Sequence, residues 1–141
     1  MSALTMYQGL EERYRTIDGL RSILLGSPTG DLDLPGLYTA YGQFDRPLRN
    51  APPASNLTGM GHVFISRLVI RFVDYAQSEM ELITLLDAIP DAIDRDPRLG
   101  GRLAGGMAYC GDAQTGWAEI GGVTYRIVDY TIRILEKRTG T

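Results

Sequence analysis

Residues 62–75 constrain the fold more than any other part of the chain. They form its strongest strand pattern, rich in Val, Ile and Phe and alternating with a two-residue period. Phe64, Leu68, Ile70 and Phe72 fall on one parity, while Arg67 and Arg71 share the other with Val63, Val69 and Val73. At ~3.3 Å per residue the run would span roughly 45 Å, longer than most globular strands. It is therefore expected to twist strongly or to project beyond the body and offer an edge to a neighbour.

Such a strand needs a sheet around it. Residues 123–137 supply a second long strand, with Val128, Tyr130, Ile132 and Ile134 on one face. Residues 37–48 carry Tyr38, Thr39, Tyr41 and Phe44, which suit a pleated surface, but Gly42 and Pro47 interrupt them and point to an edge position. Residues 103–120 read as a glycine-bearing hairpin or pair of short strands turning near residues 111–116, and Gly121-Gly122 leads into the last strand.

Helical periodicity flanks these strands. From Ser2, suited to an N-cap, Leu4, Tyr7, Leu10, Tyr14, Ile17, Leu20 and Leu24 recur at three- and four-residue steps and predict a helix running to Gly26. A second helix is predicted from Ser78 as N-cap, with Glu81 at the capping-box position. Leu82, Leu85, Leu86, Ile89 and Ile93 form its stripe, and Pro90 bends or divides it. The order α-β-β-α-β-β predicts an α+β domain over residues 1–141, an antiparallel or mixed β-sheet with two helices packed on it.

Composition narrows the function. The chain has 141 residues, 44% hydrophobic and 22% charged, enough to bury one core and far from the composition of disorder. A net charge of −3 supplies no cationic field for phosphate backbones or anionic lipids, which argues against tight nucleic-acid binding. Cys110 is the only cysteine, so no intramolecular disulfide forms and a reducing cytoplasm suits the chain. Neither a secretory signal at residues 1–10 nor a membrane-spanning run is seen.

Chemical motifs are scarce. His62 is the only histidine and abuts the glycines of Gly59-Met60-Gly61; it reads as a polar residue opening a strand, with no nucleophile motif around it. Cys110, beside Tyr109 in a predicted strand, reads as a small hydrophobe. Asp87, Asp91 and Asp94 line one helix face but lack histidine partners or a calcium-loop spacing, and read as a solvated acidic face. No catalytic residue, cofactor or metal is expected.

What remains is a segment without periodicity. Residues 49–61 contain Pro52, Pro53, Gly59 and Gly61 and are too long for a turn, which leaves a surface loop or a binding arm that orders against a partner. Asn50, Pro52, Pro53, Asn56 and Met60 on this arm, with His62, Arg67 and Arg71 on the strand after it, form the candidate partner interface.

Three segments carry a family resemblance. Leu82-Ile83-Thr84-Leu85-Leu86-Asp87-Ala88-Ile89, Asp94-Arg95-Asp96-Pro97-Arg98-Leu99-Gly100-Gly101 and Glu119-Ile120-Gly121-Gly122-Val123-Thr124-Tyr125-Arg126 resemble the tail terminator proteins of long-tailed bacteriophages. In that family a long strand precedes the helix, the helix ends in a D-P-x-L-G-G-like turn, and an I-G-G-V-x-Y-R hairpin feeds the last strand. The resemblance spans roughly residues 1–137 and implies a mixed sheet flanked by helices. It also implies a virion protein, assembled in the host cytoplasm, whose hexameric ring sits at the head–tail junction. There it would cap the tail tube protein, meet the head-completion or connector protein, and let DNA pass only through its lumen. The runner-up is a neck protein on the portal side. An alternative of another class is a small ligand-binding or enzymatic α+β domain using His62.

Overall fold

The computed structural model describes residues 2–26, 32–45, 61–103 and 106–135. Among them eight elements follow one another: α1 (Ala3–Tyr14), β1 (Ser22–Leu25), β2 (Gly36–Asp45), β3 (Gly61–Ile70), α2 (Tyr75–Leu86), α3 (Ala88–Asp94), β4 (Met107–Ile120) and β5 (Val123–Leu135). The strands form one sheet in the order β1-β2-β3-β5-β4, with β1 parallel to β2 and every other pair antiparallel. The fold is thus α+β with a mixed sheet. It has one more strand than expected, and the second helix is divided.

The first helix stops well short of Gly26. Ser2 caps it as expected, its Oγ accepting the Thr5 amide at 3.2 Å. Beyond Tyr14 the chain turns through Gly19, whose φ of +96° few side chains tolerate, and residues 22–25 pair with residues 36–39. Ile17 and Leu20 still pack against the core, so the burial rhythm outlasts the helix, but Leu24, the last residue of the expected stripe, is exposed and Ile23 packs inward in its place. Because β1 covers β2, that strand is interior and not the predicted edge.

The strand of residues 62–75 is shorter and more central than its pattern implied. β3 ends at Ile70 and lies between β2 and β5, with no projecting edge. Residues of both parities are buried along it because a core packs on each face. Asp74, not Ser78, caps α2, its Oδ1 accepting the Gln77 amide at 2.7 Å. Ser78 is buried instead, and its hydroxyl donates to the Arg71 carbonyl and accepts from the Val73 amide, pinning the link from β3.

Pro90 does divide the second helix, and the break falls at Asp87. A proline has no N–H for the carbonyl four residues back, here Leu86. The Tyr130 hydroxyl, on β5, donates to that carbonyl at 2.8 Å.

The predicted hairpin at 103–120 is one strand of 14 residues. Its register shifts between Cys110 and Asp112, so Gly111 sits in a bulge and does not reverse the chain. Ala108 and Cys110 face the helices before the bulge, and Ala113, Thr115 and Trp117 after it. That change of parity makes the sequence read as two pieces. The reversal comes at Gly121-Gly122, both at positive φ as a two-residue hairpin turn requires.

The main core lies between the helices and one sheet face. Val128, Tyr130, Ile132 and Ile134 are buried there as predicted, against Met6, Leu10 and Tyr14 of α1 and Leu82, Leu85, Ile89 and Ile93 of α2 and α3. A buried hydroxyl chain crosses it: Tyr14 Oη lies 2.7 Å from Ser66 Oγ, which lies 2.9 Å from Thr39 Oγ1. The turn after α3 locks onto α1. Leu99, at φ +53° and fully buried, fills the notch at Gly9, where an added Cβ would lie 2.8 Å from Leu99 Cβ. Asp96 accepts the Gly100 amide at 2.8 Å, and Arg102 grips Glu12 through bonds of 2.7 and 2.8 Å. The other sheet face carries a smaller cluster of Leu34, Tyr38, Val69 and Ile127.

Candidate functional site

The feature that distinguishes the surface lies where β3 ends. Ile70 pairs with Arg126 of β5, and Arg126 pairs with Trp117 of β4; beyond that row only β4 and β5 continue, from Ala118↔Tyr125 to Ile120↔Val123. The chain leaving β3 and entering α2 places Phe72 and Tyr75 beside Trp117. The three rings meet edge to face, with centroids 5.2 Å apart for Phe72–Tyr75, 5.5 Å for Phe72–Trp117 and 5.9 Å for Tyr75–Trp117. They are nevertheless open to solvent: Phe72 is 38%, Trp117 44% and Tyr75 71% exposed.

Arg126 holds this cluster in place. Its guanidinium carbon lies 4.9 Å from the centroid of a Trp117 ring, its Nε donates to Glu79 of α2 at 2.6 Å, and its Nη1 donates to the Gly116 carbonyl at 2.9 Å. The aromatic floor is therefore preorganised, tied to sheet and helix together. Further along α2, Met80 and Ile83 are also exposed. A group of exposed large apolar side chains marks a surface that other matter covers. Outward from it runs β4, whose far side has no strand neighbour among the described residues.

The residues chosen from the sequence do not converge. Asn50, Pro52, Pro53, Asn56 and Met60 lie outside the described residues. His62 is buried at the start of β3, its Nδ1 3.0 Å from the Tyr41 hydroxyl. Arg67, mid-strand on the face away from the helices, makes a bidentate pair with Asp129 at 2.7 and 3.0 Å. Arg71 is exposed in the link beside Phe72, and so is the one of these that borders the aromatic cluster. The sequence does not single out Phe72, Tyr75 and Trp117, because Phe72 continues the parity of Phe64, Leu68 and Ile70 and reads as one more strand residue. Met80 and Ile83 lie off the Leu82–Leu85–Ile89 stripe and were the available signal.

The other candidates have no built chemistry. Burial, then the carboxylates of Asp112 and Asp94, pushes the Cys110 thiol above its ordinary range and disfavours thiolate. Asp87 and Asp91 line an open groove of about 360 Å³ with Asp18, Thr84 and Arg95, and both are exposed. Among the described residues no three His, Cys, Asp or Glu side chains are grouped to hold a metal ion, and no helix is long and apolar enough to cross a membrane. No protein-family model matches the chain, and a search of curated proteins finds no match.

Proposed function

We propose that the chain is a structural virion subunit, a tail terminator whose copies form a ring at the head–tail junction, cap the tail tube and join it to the head-completion proteins. The observation that carries the assembly part of this reading is the outer side of the 14-residue β4, which has no strand neighbour among the described residues, next to the exposed aromatic cluster. A long open edge is a template for another chain, and proteins that stay monomeric blunt such edges. Among the described residues the sheet presents two different edges, β1 and β4, so contacts between copies can be heterologous, the kind that closes into rings when the rotation permits.

The tail assignment draws its support from the turn signatures. A strand precedes α2, the Asp96-Pro97-Arg98-Leu99-Gly100-Gly101 turn follows α3, and the Gly121-Gly122 turn feeds the last strand. Electron microscopy of the purified protein, alone and added to polymerising tail tube protein, tests the reading. Rings at tube ends and tubes of limited length are expected; an absence of rings together with unchanged tube growth refutes it.

A further inference from the structure

The aromatic cluster lies at one end of β3 and the attachment points of the proline-bearing segment, Asp45 and Gly61, at the other, and this separation determines which copy of the chain can join them. Residues 46–60 connect Asp45 to Gly61, which pair with each other at one end of the sheet. Fully extended from Asp45, Pro52 reaches at most about 25 Å. From Gly61 to Ile70, the row of Trp117, β3 covers about 30 Å, and the two strand spacings across to β4 lengthen the path. The segment therefore falls short of the cluster on its own subunit.

We infer that Pro52-Pro53 of one copy docks on the Phe72–Tyr75–Trp117 cluster of a second copy, as the contact that links subunits head to tail. The chemistry of the two parts matches. Consecutive prolines present flat apolar rings and no backbone donor, and exposed aromatic rings held edge to face are the surface that takes such rings. Charge agrees as well. Residues 46–60 carry Arg46 and Arg49 and no acidic residue, whereas Asp74, Glu79 and Glu119 outnumber Arg71 and Arg126 around the cluster. A donor at one end and an acceptor at the other give a heterologous contact, which closes into a ring or propagates as a filament. The inference builds on the proposed self-assembly but not on the tail assignment.

Trp117 is the chain's single tryptophan, so its emission reports the contact directly. Full-length protein, its Pro52→Ser/Pro53→Ser variant and its Tyr75→Ala variant would be followed over a dilution series by light scattering and fluorescence, with circular dichroism as the control for folding. The expected result is a blue shift of Trp117 emission as wild-type copies assemble. In both variants the assembly midpoint rises by about tenfold or more, as for loss of a well-packed contact. Wild-type assembly matched by both variants, with the same emission, overturns the contact and leaves the ring standing. Arm-dependent assembly into open filaments keeps the contact and removes the ring. A monomer at every concentration gives the cluster to a different chain and overturns both.

Discussion

Replacing Tyr130 by phenylalanine isolates a single hydrogen bond whose reason is written in the sequence. The Leu86 carbonyl would take the amide of residue 90 in a continuous helix, but that residue is Pro90, and the Tyr130 hydroxyl stands in at 2.8 Å. Tyr130→Phe keeps the buried ring and leaves the carbonyl without a protein donor, at a cost of about 1–2 kcal/mol. For 141 residues the entropy of unfolding is about 0.3 kcal/mol/K, so the melting temperature should fall by about 5 °C. In a Pro90→Ala background the restored amide can reach Leu86, and the same substitution should lose less than half as much. Urea unfolding of the four proteins, followed by circular dichroism, measures the coupling, expected near 1 kcal/mol. Losses that add to within about 0.3 kcal/mol would refute the claim that the hydroxyl compensates for the proline.

Ser66→Ala breaks the hydroxyl chain between Tyr14 and Thr39 and should destabilise by about 1–3 kcal/mol in chemical denaturation; a neutral result would mean that the chain is not a structural tie. Gly9→Ala should also destabilise, by about 1–3 kcal/mol, although alanine is the better helix former, because its Cβ meets Leu99 at 2.8 Å. A more stable variant would show that the Leu99 turn yields. Arg67→Ala should cost no more than about 1 kcal/mol, and less in high salt, since the pair with Asp129 is about a third exposed. Cys110 should react with iodoacetamide at pH 8 more slowly in the folded protein than in urea, because its thiol titrates above the ordinary range; equal rates would contradict that environment.

The elements with one uninterrupted period were legible in the sequence. The alternation of Val128, Tyr130, Ile132 and Ile134 marked the core face of β5, and Ser2 marked the start of α1. Pro90 announced the break in the second helix. Reading failed where two structures share a pattern. Ile17, Leu20 and Ile23 keep touching the core after the helix has ended, and the bulge at Gly111 resets the parity of β4. It failed at Ser78 because Asp74, four residues earlier, offers an equally good cap and the helix could begin there.

The sequence by itself determined the α+β class, the strand pattern of residues 62–70 and the glycine pair Gly121-Gly122 that leads into the last strand, because these depend on local periodicity and backbone freedom. Tertiary structure alone decided that β3 is enclosed and that β4 lies at the edge among the described residues, since strand order arises from pairings between distant segments. It also decided the surface that matters. Trp117 is more than forty residues along the chain from Phe72 and Tyr75, and all three look like ordinary core residues. Only the end of β3 at Ile70 and the longer course of β4 and β5 bring their rings together in solvent.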